Sequence, residues 1–212
     1  VQFDEVLAPG DLLYVPPGMA HYGVAEDDCL TFSFGFRMPN VAGMMERISD
    51  QFSANTLLQN PVIDIARKQM SQIGEMNATE LSYLKDLVLA QLQDSSALDA
   101  AIMSYMSEPK YPDNIPEPDE IEADDLKEIL HEGYEVLLEP ASRLLYTEKD
   151  EALNFWGNGE ALCIAENFAP KLKAIANGES LAFNSEFNDL EVLENVAYLL
   201  NESILMLLPP SE

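Results

Sequence analysis

The stretch LAPGDLLYVPPGMAHYG, residues 7–23, sets two Pro-Gly signals, a four-residue apolar run and a histidine in one short segment. Pro9-Gly10 reads as a turn, LLYV as a strand and Pro16-Pro17-Gly18 as its stop. His21 follows at the entry to the next strand, where a rigid double proline fixes the direction in which its ring projects. Downstream, CLTFSFGF alternates. Cys29, Thr31, Ser33 and Gly35 share one face, and Leu30, Phe32, Phe34 and Phe36 share the other.

Working outward, the 212 residues hold 11 Lys plus Arg against 38 Asp plus Glu, a formal charge of −27. Such a balance repels a polyphosphate backbone and an anionic bilayer, so nucleic-acid and membrane-surface binding are excluded as main roles. Hydrophobic residues make up 47%, too many for a disordered acidic chain. No apolar run nears the roughly 18 residues of a membrane span. Cys29 and Cys163 lie far apart with no CxxC spacing, which suggests neither a disulfide framework nor a cysteine zinc site and fits a reducing cytoplasm. Val1 is not an initiator Met and no signal peptide follows it, so the chain is expected to open in mid-structure, as a fragment.

Charge is unevenly spread. Residues 1–106 hold 14 acidic and 5 basic side chains, and residues 107–212 hold 24 and 6. The shift coincides with SEPKYPDNIPEPDE, residues 107–120, whose four prolines remove amide donors and disfavour helix; a linker is placed at 108–118. Before it, residues 1–38 are β-rich and residues 39–107 helical. Pro39-Asn40 is a start signal, Asn77 or Thr79 a cap, and Leu81, Leu84, Val88 and Leu92 fall on one helix face. These read as antiparallel helices. Met44, Met45, Ile48, Phe52, Leu57, Leu58, Ile102, Met103 and Met106 exceed what one thin helical layer can hide, which predicts a two-fold homodimer. Residues 119–212 look mixed. A helix is predicted at Ala123–His131, strands at Glu135–Leu138 and 143–147, and a turn through 149–151. A Phe155-Trp156 strand, helices at 167–176 and 189–200 and a strand at 204–207 complete a winged-helix-like module.

With only two histidines in the chain, His21 and His131, a multi-histidine metal site or a Ser/His/Asp triad has few candidates. For His21 position alone leaves two readings open. A preset backbone suits a metal ligand, which needs its imidazole held near one geometry. It equally suits a strand-start histidine bonded to a nearby carbonyl.

The segment LAPGDLLYVPPGMAHYG, followed by CLTFSFGFRMPN, resembles the end of the catalytic barrel in the bacterial ribosomal-oxygenase branch of the JmjC/cupin family. The resemblance is specific over residues 7–40 and one of layout beyond. It implies an α+β chain: terminal strands of a cupin/jelly-roll barrel at 1–38, a helical dimerisation region at 39–107 and a winged-helix-like domain at 119–212. It further implies iron(II) and 2-oxoglutarate as cofactors and hydroxylation of a side chain, an arginine, on a large-subunit ribosomal protein. His21 takes the place of the last histidine of an HxD…H triad. Thr31 and Ser33 become candidates for the cosubstrate pocket, because small hydroxyl residues leave room and offer hydrogen bonds; packing in a crowded barrel is the competing reading.

The departures matter equally. A facial triad needs two imidazoles and one carboxylate, and this chain has no HxD. His131, in KEILHEGYE beyond the linker, reads as a surface or C-cap histidine. The basic residue that anchors 2-oxoglutarate in such enzymes is expected on a strand outside this sequence, so the chain as it stands is expected to be inactive. Asp11 reads as a turn stabiliser, Asp27-Asp28 as a solvated pair, Arg37 as an ion-pair partner, and Gly157-Asn158-Gly159 as a hairpin turn rather than a phosphate loop. The acidic surface suits a basic ribosomal protein partner as well as solubility. Against the hydroxylase stands one alternative, a non-catalytic acidic protein-interaction module with a relic cupin end.

Overall fold

The computed structural model describes residues 4–35, 38–54, 61–62, 76–93, 95–118, 120–182 and 189–210. They fall into two units, Val1–Phe36 and Arg37–Glu212.

The second unit begins with three helices. Helix α1, Val41–Ala54, starts where expected: Asn40 accepts the Gly43 amide on its side chain at 2.8 Å and the Met44 amide on its carbonyl. Helix α2, Ala78–Leu92, carries a full capping box, in which Asn77 accepts from the Glu80 amide and Glu80 accepts from the Asn77 amide. Helix α3, Ser95–Ser107, packs on α1 through Ile48, Ala101 and Tyr105, all buried. Gly43 makes this approach possible, since a Cβ there would collide with the Tyr105 ring and hydroxyl. Helix α3 also meets α2 and the strands of the ribbon described next, so it is shared between the helices and the β-containing part.

The β-containing part orders as α4 (Ala123–His131), β1 (Glu135–Leu138), β2 (Leu144–Lys149), β3 (Ala152–Gly157), β4 (Glu160–Leu162), α5 (Ala169–Ala176), β5 (Leu181–Ala182), α6 (Leu190–Asn201) and β6 (Leu205–Leu208). Strands β5-β1-β6 form one antiparallel sheet and β2-β3-β4 a second. Two-residue loops close the ribbon: Asp150-Glu151 with φ of 50° and 68°, and Asn158-Gly159 with φ of 51° and 94°. Both central residues at positive φ define type I′ turns, which match the twist of the flanking strands. The core gathers Leu126 and Leu130 of α4, Val136, Phe155, Phe168, Leu172, Ile175 and six residues of α6. Each such side chain contributes about 1.5–3 kcal/mol by leaving water.

The proline-rich stretch carries a 3-10 turn at Pro112–Asn114 and is fastened to the α6–β6 corner. Ser203 donates to the Pro116 carbonyl at 2.8 Å, while Asn201 accepts from the Ile121 amide and donates to its carbonyl, each at 3.0 Å. Among the described residues, every buried side-chain nitrogen and oxygen has a partner.

One expectation needs correction. Residues 12–15 and 29–35, read as strands, form none: both described sheets lie within residues 135–208, and a strand exists only where a partner closes its ladder. The stripe Leu81, Leu84, Val88 lies on α2 as the spacing requires, but it is exposed, and α2 buries no residue. Leu57, Leu58, Phe36 and Arg37 lie outside the described residues.

Gly157 is the tightest point of the ribbon: a Cβ would stand 2.5 Å from Ile204 Cδ1, inside a core where Ile204 is 1% exposed. Gly157→Ala is expected to destabilise the fold by about 1–3 kcal/mol through overpacking, read as a lower urea midpoint at unchanged slope. Alkaline pH should act in the same direction. Burial first, then the nearby Glu202, Cys163 and Glu160, raise the Tyr198 hydroxyl above its ordinary pKa of 10.0. The hydrogen bond to Glu148 raises Lys173 above 10.5. The folded state therefore holds both protons more tightly; that stability is complete below the ordinary values and is lost as pH rises through the folded ones. Tyr198→Phe should shrink the fall in urea midpoint between about pH 9 and about pH 11, and an unchanged fall contradicts the Tyr198 assignment.

Candidate functional site

In the first unit, turn chemistry is the organising feature. At Ala8-Pro9-Gly10-Asp11, the Asp11 amide donates to the Ala8 carbonyl at 3.0 Å and Gly10 has φ of 96°. At Pro16-Pro17-Gly18-Met19, the Met19 amide donates to the Pro16 carbonyl at 3.2 Å and Gly18 has φ of 77°. Proline at the second position and glycine at positive φ in the third make both type II turns. Asp11 locks the first turn further, its carboxylate accepting the Ala8 amide at 2.8 Å, which is the stabilising role expected of it.

His21 stands two residues beyond the second turn, exposed, with Nδ1 3.3 Å from the Met19 carbonyl oxygen. Thr31 and Ser33 are also exposed, on the segment after the bend at residues 26–28 that carries Asp27 and Asp28. Residues 4–35 hold six carboxylates and no lysine or arginine, so this unit presents a wholly negative face to solvent. Cys29 and Cys163 are exposed free thiols. His131 closes α4 as its only basic residue in the last turn, exposed, as a C-terminal histidine favoured by the helix dipole.

The chemistry of this donor set fits one contribution to a metal. An imidazole held by a backbone carbonyl is a common ligand arrangement. Among the described residues, however, no three His, Cys, Asp or Glu side chains gather closely enough to hold an ion. In the second unit, sequence reading missed Arg47. On α1, it pairs with Glu108, the residue after α3, beside a cleft of about 220 Å³ lined by Gly43, Glu46, Asp50 and Tyr105. A lone arginine among acids on α1 was the available signal, but its partner lies 61 residues away and no local pattern could supply it.

Residues 1–44 match the JmjC domain, which takes in His21, Thr31 and Ser33. The chain is 37% identical to a probable ribosomal oxygenase of Haemophilus influenzae over 95% of its own length and 52% of that protein's. It is 27% identical to the ribosomal protein uL16 3-hydroxylase of Escherichia coli, over 93% of this chain and 52% of the relative. The chain thus spans about half the length of the curated relatives it matches. Among solved structures, the Escherichia coli ribosomal oxygenase YcfD superposes with a TM-score of 0.68 at 20% identity. That match covers 82% of this chain and 48% of YcfD, in a complex with cobalt and succinic acid. A second YcfD structure, with cobalt and 2-oxoglutarate, superposes equally well. These neighbours share the mixed helix-and-sheet fold. Residues 90–206, more than half the chain, match the ROXA-like winged helix, running from α3 through the ribbon and α6 to β6, and the chain belongs to that family.

Proposed function

We propose that these residues form part of an iron(II)- and 2-oxoglutarate-dependent dioxygenase that hydroxylates a side chain, an arginine, of a large-subunit ribosomal protein. The observation that carries this reading is His21, set beyond a Pro-Pro-Gly turn within the JmjC-matched residues and held on Nδ1 by a backbone carbonyl. His21 is assigned as one metal ligand, and Thr31 and Ser33 as residues of the cosubstrate pocket. The other two ligands and the basic anchor for 2-oxoglutarate belong to a barrel segment bearing HxD, which this sequence lacks. When bound, iron(II) supplies the means to activate dioxygen against an unactivated C–H bond. What this chain contributes is one imidazole and small hydroxyl side chains, together with a negative surface that draws in a basic protein.

The partner follows from charge. Residues 107–212 carry 24 acids and 6 bases, whereas DNA-binding winged helices read phosphate and base edges with Lys and Arg. The winged helix here engages protein or its own chain, and nucleic acid and membrane are not its partners. No described helix is long and apolar enough to cross a membrane, and a cytoplasmic setting suits both free thiols. Of the residues on which the homodimer prediction rests, Met45 is exposed while Ile48 is buried between α1 and α3, and what supports a homodimer through these helices is Met45 together with exposed Leu81, Tyr83, Leu84, Val88 and Leu89 on α2.

The alternative, a non-catalytic acidic module, draws support from the incomplete ligand set among the described residues. In a protein carrying these residues together with HxD, His21→Ala is expected to abolish 2-oxoglutarate turnover and to weaken iron(II) or cobalt(II) binding by at least tenfold, with the far-UV spectrum unchanged. Unchanged metal affinity would sink the assignment. For assembly, light scattering at micromolar concentration should return twice the chain mass, and a monomeric mass contradicts the interface.

A further inference from the structure

We infer that Gly18 is a positioning residue for His21: its positive φ closes the turn that aims the Met19 carbonyl at the ring, fixing the hydrogen on Nδ1 and leaving the lone pair on Nε2. The first step is chemical. A carbonyl oxygen has no proton to give, so the 3.3 Å contact between His21 Nδ1 and the Met19 oxygen is a hydrogen bond only when Nδ1 carries the hydrogen. A free neutral imidazole prefers its hydrogen on Nε2, so this contact selects the less favoured tautomer. A nitrogen can ligate a metal only through its lone pair, and here that nitrogen is Nε2.

The second step is conformational. Met19 can offer its carbonyl in this direction because its own amide is tied back to Pro16 at 3.2 Å, closing the type II turn. That turn demands positive φ at its third position, and Gly18 supplies 77°. Space is not the reason for glycine here: a Cβ at Gly18 would meet no heavy atom within 4 Å. The demand falls on the backbone alone. A residue that tolerates positive φ should therefore replace Gly18, and a β-branched one should not. Pro17, with φ preset for the second position, removes most of the remaining freedom.

The inference deepens the reading of His21 as a metal ligand, and its test needs neither metal nor turnover. Ring-nitrogen NMR of the histidine-labelled full chain, at about pH 9 where imidazoles are neutral, reports the tautomer directly. With only two histidines present, His131→Gln assigns the signals. The wild type is expected to show His21 mainly with Nδ1 protonated. Gly18→Val should return it mainly to the Nε2-protonated form, while Gly18→Asn, which accepts positive φ, should keep the wild-type pattern. Unchanged amide spectra for the winged-helix residues show in each variant that the chain has folded. A wild-type ring protonated on Nε2 overturns the inference, as does a Gly18→Val ring that keeps Nδ1 protonated, or Asn and Val behaving alike. None of these outcomes bears on whether His21 binds iron, which the His21→Ala metal titration reads separately.

Discussion

The Asn158-Gly159 turn is the point on which the second unit depends. Asn158 takes the Arg143 amide on its side-chain oxygen and gives its own amide to the Arg143 carbonyl, each at 3.0 Å. Its side-chain nitrogen donates at 3.1 Å to Ser142 Oγ, and Ser142 donates in turn to the Ser203 carbonyl at 2.6 Å. On the other side, the Gly159 carbonyl accepts from Ser104 of α3. Ser142 and Ser203 are buried, so each bond removed would strand a polar group away from water, at a cost of about 1–3 kcal/mol. One two-residue turn thus joins α3, the entry to β2 and the α6–β6 corner. It sets the register of β3 against β4 as well, since Gly157 must face Glu160 for the loop to close.

A different constraint governs the first unit. Residues 135–208 pair their strands within the chain, while in residues 4–35 the turns at 8–11 and 16–19, the Asp11 carboxylate on the Ala8 amide and the Met19 carbonyl beside His21 are all local contacts. Local turns fix direction over a few residues and no further. They can aim one carbonyl at one imidazole, but they bury nothing: Leu12 is 86% exposed, Tyr22 92% and Phe34 82%. Side chains of that size leave water only when other strands cover them. The turn beside His21 and a ladder that would bury its neighbours are therefore separate requirements, and residues 4–35 meet only the first.

This division explains what could be read from the sequence. Features encoded within four or five residues were legible: the Asn40 and Asn77 caps, the loop signals at Asp150-Glu151 and Asn158-Gly159, and the Pro-Gly turns that flank LLYV. The helices of residues 123–201 and strands β1, β2 and β6 came out within two residues of their places, because periodicity and breakers agreed there, whereas β3 starts three residues before the Phe155-Trp156 reading and the short strands β4 and β5 were not read at all. The alternation in residues 29–36 is a strand pattern in the sequence, yet residues 29–35 form no strand, because a pattern shows only which face a partner would bury, not that a partner is present. The α2 stripe shows the same limit: helical spacing aligns Leu81, Leu84 and Val88 on one face, as read, without saying what meets them. Illegible altogether were the Arg47–Glu108 pair and the Ser203–Pro116 bond, which are products of folding, whereas a nearby carbonyl on His21 was one of the two readings that its position left open.

Charge adds a last step, because it acts at ranges where neither turns nor ladders do. The excess of carboxylates is spread over both halves, and in residues 4–35 it is relieved by no lysine or arginine. Fields of one sign extend about 8–10 Å in physiological salt, farther than any hydrogen bond on this surface. They favour approach of a basic protein from many directions but select no residue in it. Selection must come from the short-range elements: an imidazole whose direction a glycine turn sets, and hydroxyl side chains on the segment after it. Attraction without discrimination in the acidic surface, and discrimination without reach in the turn, are complementary properties. On the proposed reading, a hydroxylase acting on one side chain of a strongly basic protein requires both.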